Sequence, residues 1–440
     1  MQVYPSKFDS SALSSRPRPI SRSTSSSSVP FDAKDVDVVR IEGLRHASGT
    51  LEARRYKTPE FAEHLLSILH ALRMPVWCNH EITPQTLKIQ KVSGSLTNAV
   101  FFVSCPSIPR VPIILLRIYG PSSGSLISRP RELHTLHILS SQYHIGPKVY
   151  GTFENGRVEE YFDSAALTAE DMRDPIISSW IGARMAELHQ VDVETIESQS
   201  PPSSPVPSRP TRAGDVWQIG VKKNVKSWLA AAREVLALPT VSEQLRIALD
   251  LDAFGQEWER YLSWLSNFEA QVGASPVVFC HNDAQYGNLL RMTRLKSGVP
   301  EHRQIIVVDF EYASPNPAAF DIANHFHEWT ANYHGENPHL LKADRYPTLE
   351  QRYNFFAAYL THYHHLNASI SRAALESKMK ILDEQVRAWS PASHAMWAVW
   401  GIVQAREALE GEDGDPEFDY IEYSRCRLEG FRREIRALSV

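Results

Sequence analysis

Long apolar runs are missing from this 440-residue chain. The strongest candidates, "VPIILL" and "IIVV", are strand-sized and soon meet a charge, well short of the roughly 18 residues a membrane span needs. Cysteine is scarce. Cys78, Cys105, Cys280 and Cys426 lie far apart and form no CxxC pair, so the simple expectation is a reduced, cytoplasmic protein without structural zinc. Charge of one sign is also missing: 46 basic against 51 acidic residues leave a net −5. No broad polyanion-binding surface follows, and nucleic acid is not an expected partner. The first residues hold no hydrophobic signal core. They are rich in Ser and Arg and poor in acids, but Pro5, Pro17, Pro19 and Pro30 interrupt any amphipathic transit helix.

What is present is core material, with 43% hydrophobic and 10% aromatic residues. That suffices for two or three domains or one large two-lobed one. Residues 1–36 read as a disordered tail, since "STSSSSVP" has nothing to bury. A second Pro/Ser-rich stretch, Glu197–Asp215, reads as a surface insertion between helices. Between them, "TPEFAEHLLSILHAL" (Thr58–Leu72) repeats apolar residues at helical spacing behind a capping threonine. "LKIQKVSG", "AVFFVSC" and "VPIILLRIYG" read as strands, "RPRELHTLHILSS" as a helix, and "PKVYGTFENGRVEEYF" as two strands turning at Asn155-Gly156. After Phe162 helices dominate: Ala169–Gln190, Val221–Leu238, Val241–Val272, and nearly everything from Pro317 onward. The expected fold is α+β, with a small antiparallel-sheet lobe over 37–162 and a large, mostly helical lobe over 163–440. Helices and strands do not alternate as a doubly wound sheet requires.

Two short apolar runs inside the helical part each end in an acid. "VVFCHNDAQYGNLL" delivers His281, Asn282, Asp283, Gln285 and Asn288, and "IIVVDFEY" delivers Asp309. Phosphoryl transfer needs a carboxylate at the nucleophile's hydroxyl and oxygen ligands for magnesium on the nucleotide phosphates. The protein-kinase catalytic loop places its base aspartate five residues before a metal-binding asparagine, with a D-F pair further on. Asp283, Asn288 and Asp309-Phe310 reproduce that order and spacing. Alone, Asp283 would pass for a cap and Asn288 for a turn residue; together, each half at a strand end, they point to chemistry. His281 is expected to hydrogen-bond the loop backbone, without a role in proton transfer.

"HNDAQYGNLL" followed by "VVDFEYASPNPAAFDIANHFHEW" resembles the choline/ethanolamine kinase family, small-molecule relatives of the protein kinases. The likeness continues through "VSGSLTNAVF", "ILLRIYGP", "IGPKVYGTFENGRVEEYF", "MAELH" and "SHAMWAVWGIVQA", from about residue 60 to 435. It implies a protein-kinase-like two-lobed fold and ATP- and Mg²⁺-dependent phosphorylation of choline or ethanolamine, with a homodimer open to the chain. By position it makes Asp283 the catalytic aspartate, Asn288 and Asp309 the magnesium ligands, and places Gln285 close to the reacting groups. "VSGSLTN" takes the place of the nucleotide loop, with Ser93, Gly94, Ser95, Leu96, Thr97 and Asn98 facing phosphates. That loop matches neither GxxxxGK[ST] nor GxGxxG, and by itself would be a hairpin turn.

Arg117 falls where protein kinases carry their phosphate-pairing lysine, with Glu132 on the next helix as its salt-bridge partner; an ordinary surface ion pair is the plainer alternative. Glu160 and Tyr161 would form the hinge under adenine. A quaternary ammonium cannot donate a hydrogen bond, so a choline site needs ring faces and a carboxylate. The resemblance offers Tyr312, Tyr333, Trp397, Trp400 and Tyr423 as the rings and Glu328 as the counter-charge. Trp397 and Trp400 are three apart on one helix face, a pair that without the resemblance would read as core packing. Choline kinase activity at the entry to phosphatidylcholine synthesis is the expected function, with ethanolamine as a further substrate. An ethanolamine kinase of the same fold, an aminoglycoside-type phosphotransferase and a nucleotide-binding scaffold are the rivals.

Overall fold

Alternating β-branched and aromatic residues build the strands of the first third of the chain. The computed structural model describes residues 38–78, 81–94, 98–119, 128–197, 218–295, 297–363, 371–411 and 418–440. The tail expected over 1–36, nearly all of the 197–215 insertion, and Ser95, Leu96 and Thr97 lie outside them. Among the described residues, β1 (His46–Ala47), β2 (Lys88–Gly94), β3 (Asn98–Ser104), β4 (Ile114–Tyr119), β5 (Val149–Phe153) and β6 (Gly156–Glu160) form one sheet in the order β1-β5-β6-β4-β3-β2. β1 pairs parallel with β5, and the other pairs are antiparallel. Two residues carry no periodicity, which is why β1 is invisible in the sequence.

On β4, Ile114, Leu116 and Ile118 are buried at a period of two. They pack with Phe101, Val103, Val158 and, from helix α1 (Pro59–Ala71), Leu65 and Leu69. Thr58 caps α1, accepting from Phe61 N at 3.3 Å, and Pro59 occupies the first helical position. Helix α2 (Arg129–Gln142) turns Leu133, Leu136 and Leu139 toward the larger core of the helical lobe.

The helical lobe carries two small strand pairings beside the sheet lobe. β7 (Ser164–Ala166) and β10 (Ile305–Val307) flank β9 (Leu289–Met292), and β8 (Val277–Cys280) pairs with β11 (Ser314–Pro317). Pro315 and Pro317 argue against a strand in the sequence; a two-stranded ribbon has an open edge where a missing N–H is tolerated. The helices are α3 (Pro175–His189), α4 (Val193–Glu197), α5 (Gly220–Leu236), α6 (Glu243–Leu249), α7 (Leu251–Val272), α8 (Ala318–Glu328), α9 (Leu349–Tyr363), α10 (Arg372–Gln404), α11 (Arg406–Glu410) and α12 (Tyr420–Ala437). The single helix expected over Val241–Val272 is in fact two. Asp250 takes φ 35° and accepts from Ala253 N at 3.0 Å, which ends α6 and caps α7 in one residue. No helix among the described residues is long and apolar enough to cross a membrane.

Helices α3 and α9 pack closely at Gly182, where an added Cβ would lie 2.8 Å from Phe355 O. Gly182→Ala is expected to lower stability by about 1–3 kcal/mol through overpacking. Denaturant unfolding measures this, and an unchanged midpoint would contradict the close packing.

Candidate active site

β8 ends at Cys280, and the next residues pass over the first turn of α8. Asp321, fully buried there, accepts from His281 N at 2.9 Å, from Asn282 N at 2.7 Å and from His189 Nε2 at 3.0 Å. Burial works against its charge, yet these bonds, the His189 bond foremost, hold its carboxyl below the usual range. Asn282 adopts φ 64°, a left-handed conformation that Asn tolerates. Its side chain donates to Tyr312 O at 2.8 Å and Ser314 Oγ at 2.9 Å and accepts from Asn316 Nδ2 at 2.8 Å. Asp283 follows, buried, with Asn288 Nδ2 at 3.0 Å from its Oδ2 and 2.9 Å from its backbone oxygen. His281 accepts from Asp283 N at Nδ1 (3.2 Å) and donates from Nε2 to Val308 O (3.0 Å). It serves the backbone, as its position in the sequence led us to expect, and burial lowers its proton affinity. Gln285 is buried, and its main chain closes the turn between Asp283 and Asn288.

Asp309 stands just beyond β10 with φ 68°, followed by Phe310, whose ring packs on His281 at 5.1 Å. Burial raises the Asp309 carboxyl to about 6, with Arg117 opposing and Glu132 adding to the rise. Glu311 is pushed well above the carboxylate range, first by burial and then by Asp309, Glu132 and Asp283. Three carboxylates of the helical lobe therefore converge within electrostatic reach of one another. Glu311 was absent from the sequence candidates. Its signal was an acid in the place of the glycine of D-F-G.

The facing ions of the sheet lobe pair differently from expectation. Glu132 receives Arg157 Nη2 at 2.8 Å, while Arg117 Nε lies 3.5 Å from Glu159 Oε1. Arg157 also meets Glu159 and donates to Tyr119 OH at 3.2 Å. The Arg117–Glu132 bridge is thus corrected to a four-residue cluster. The β4–β6 register sets Arg117 opposite Arg157, and Arg157 is the arginine that reaches α2. Arg157 and Glu159, two apart on β6, share a strand face, a period-two signal that the sequence did hold. In the hinge segment, Glu160 N donates to Lys148 O at 2.8 Å, which closes that N–H to a base, and the Tyr161 ring meets Phe102 edge-on at 4.8 Å. Ser93 and Gly94 end β2 and Asn98 opens β3, with Gly94 opposite Ala99.

The aromatic candidates form one cluster beside the loop that carries Asp283. Tyr312 meets Trp397 at 5.2 Å, Trp397 meets Trp400 at 5.2 Å, and Trp400 meets Tyr423 at 6.1 Å. Phe418 joins Tyr423 at 5.4 Å to Tyr333 at 6.4 Å, and Tyr420 lies 5.7 Å from Trp400. Phe418 and Tyr420 were missed because they border an acidic link that conceals the helix start. Glu328 is held inside the cluster by Arg427 Nη2 at 3.1 Å and by Tyr333 OH at 2.7 Å. The counter-charge expected of Glu328 is therefore shared with a cation of the chain itself, Arg427. Asn324 ties cluster to loop, accepting from Trp397 Nε1 and Ser393 Oγ, both at 2.7 Å, and donating to Asn282 O at 2.9 Å.

A family model described as choline/ethanolamine kinase matches residues 89–432. The chain belongs to the choline/ethanolamine kinase family. It is 32% identical to the choline kinase of Schizosaccharomyces pombe over 447 aligned residues, covering 90% of this chain and 93% of that one. To the Homo sapiens choline/ethanolamine kinase it is 29% identical, covering 80% of this chain and 83% of the relative. Among solved structures, choline kinase from Cryptosporidium parvum superposes with a TM-score of 0.63 at 25% identity, covering 86% of this chain and 96% of the other. Small sheet lobe and large helical lobe are thus the two lobes of a kinase-like fold.

Two outcomes follow from the geometry. Asn324→Leu removes a buried amide that three groups use, so kcat should fall about tenfold and amine KM should rise, with nucleotide affinity held. Steady-state kinetics decides this, and unchanged parameters would break the link between cluster and loop. For Asp309 the raised value opposes folding once the acid ionises. The penalty is absent below 3.8, grows as pH rises, and is complete above about 6, where it amounts to roughly 3 kcal/mol. In chelator-treated protein, Asp309→Asn should raise Tm at pH 8 and change it little at pH 4.5. Equal changes at both pH values would contradict the crowding of acids.

Proposed function

We propose that this chain transfers the γ-phosphoryl group of ATP to the hydroxyl of choline, forming phosphocholine and ADP, with ethanolamine as a second substrate. The observation that carries the choline reading is the use of polar atoms in the aromatic cluster. Trp397 Nε1 is bonded to Asn324, Trp400 Nε1 donates to Tyr312 OH at 2.9 Å, Tyr333 OH donates to Glu328, and Tyr423 OH accepts from Arg427 Nε at 3.0 Å. Each ring engages its polar group within the protein, so the cluster is suited to present faces. That suits a quaternary ammonium, which has no hydrogen to donate, better than a primary one. Glu328 and Arg427 act by fixing Tyr333 and Tyr423, and Phe418, the more exposed ring, marks the side of entry.

In this reading Asp283 orients the choline hydroxyl and accepts its proton as the new O–P bond forms and the bond to the β-phosphate oxygen breaks. Asn288 holds Asp283 in position through its Nδ2. The acids beside it suit a hard divalent cation: Asp309 and Glu311 repel one another in a half-buried space, and oxygen donors are what Mg²⁺ prefers. Asp309, Asn288 and Glu311 would hold it, and Mg²⁺ bound there would neutralise charge on the nucleotide phosphates. Arg117 and the Ser93–Asn98 loop would face the triphosphate, with the Tyr161 segment under the base. The reaction belongs at the entry to phosphatidylcholine synthesis, in the cytoplasm.

The test is ADP release with ATP and Mg²⁺, comparing choline with ethanolamine for wild type and Asp283→Asn. Choline turnover should exceed ethanolamine turnover. The variant should lose about 10²–10⁴-fold in kcat while still binding ATP. Near-normal turnover of the variant would overturn the role of Asp283, and faster ethanolamine turnover would overturn the choline preference.

A further inference from the structure

Buried polar atoms are nearly always hydrogen-bonded, and His394 on α10 is an exception. It is 2% exposed, and neither Nδ1 nor Nε2 has a hydrogen-bond partner. Its Nε2 lies 3.5 Å from Glu434 Oε1 on α12, and His327 Nε2 on α8 lies 3.7 Å from the same oxygen. The two imidazole rings are 4.0 Å apart between centroids, and Glu434 Oε2 is buried and unpartnered as well. The three potential ligand atoms fall within 4.8 Å of one another. A tetrahedral zinc ion with bonds of 2.0–2.1 Å holds its donors roughly 3.3 Å apart, close to the two measured distances. A cavity of about 120 Å³, bordered by Thr330, Tyr346 and Cys426, adjoins the trio and has room for a water as fourth ligand.

We propose that His327, His394 and Glu434 form a binding site for a zinc-class divalent transition metal, separate from the acid cluster at Asp309. Two imidazoles and one carboxylate suit such an ion better than magnesium, which favours oxygen. Cysteine spacing argued against structural zinc, but it is blind to a site without cysteine ligands. Metal binding needs neutral imidazoles. Burial keeps both rings well below their ordinary proton affinity, aided at His327 by His394 and at His394 by Arg427 and Arg433. Of those two arginines, Arg427 is neutralised by Glu328, and Glu434 brings a negative charge to the site. Ser390 Oγ and the Ser390 carbonyl oxygen lie 2.8 and 3.3 Å from His327 Nε2, so loading exchanges those contacts for a metal bond. The other buried trio, His189, Cys280 and Asp321, lacks this character, because both Asp321 oxygens already accept hydrogen bonds.

The role is structural. The ligands come from α8, α10 and α12, and those helices also carry Glu328, the Trp397/Trp400 pair, and Tyr423 with Arg427. A metal at this point fastens together the three helices that build the aromatic cluster.

The full-length protein, stripped by chelator and returned to buffer with millimolar Mg²⁺ to saturate the acid cluster, is titrated with Zn²⁺ by calorimetry. Co²⁺ loading is followed by visible absorption. The expected result is one zinc per chain, intense four-coordinate cobalt bands, and a Tm that rises with zinc. Glu434→Gln, nearly isosteric, and His394→Gln should each weaken zinc binding at least about tenfold and abolish those bands, with circular dichroism showing that each variant folds. Absence of stoichiometric zinc in the wild type would overturn the proposal. So would zinc and cobalt binding by a folded Glu434→Gln protein at wild-type affinity.

Discussion

One buried carboxylate sets the geometry on which the site depends. Asp321 takes two consecutive backbone N–H groups, those of His281 and Asn282, and a ring nitrogen of His189. A buried charge is tolerated only when its hydrogen bonds are complete, so the arrangement has little slack. With both N–H groups fixed, Asn282 is held in its left-handed turn, and that turn aims Asp283. An apolar residue in place of Asp321 would leave two buried amides unsatisfied, and the loop would relax away from the acids it now faces.

The charged groups of the two lobes separate into two kinds. Some are balanced inside the chain: Glu328 with Arg427, and Arg157 with Glu132 and Glu159. Asp309 and Glu311 are of the other kind, with carboxyls raised because burial and neighbouring acids outweigh the arginines nearby. Internally balanced charges orient side chains, whereas crowded acids ask for positive charge from outside. This contrast separates scaffold from chemistry more clearly than burial does, since Glu328 is more buried than either acid of the second kind.

The sequence shows strand-terminal acids well because their signals are local. Asp283, Asn288 and Asp309 follow apolar runs at fixed spacing; β8 pairs with β11, and β10 pairs with β9, the strand that starts just after Asn288. Partnership across the fold is harder to see. Arg117 was matched with Glu132 by order along the chain, but the β4–β6 register places Arg157 in between, and register depends on the whole sheet. Arg427 lies 99 residues from Glu328, and nothing local in "RCRLEGF" announces a buried guanidinium. Asp250 shows a third limit: its helical neighbours hide a break that a single left-handed residue makes.

Helix α8 connects these parts. Asp321, Asn324, His325 and Glu328 are spaced at three, four and seven residues, and so lie along one helix face. Each takes one task on that face: Asp321 the loop backbone, Asn324 the Trp397 ring and Asn282, His325 the Ala284 carbonyl at 2.8 Å, and Glu328 the Tyr333–Arg427 pair. The loop that carries Asp283 and the aromatic cluster are therefore registered to a single rigid rod. A hydroxyl and a quaternary nitrogen sit a fixed short distance apart in choline, so a site for it must hold catalytic acid and ring wall at a matching separation. In the proposed reading, one helix carries the anchors of both, without help from a flexible connection. His327 falls outside the same face and meets α10 and α12 instead, which ties the rod to the helices behind it.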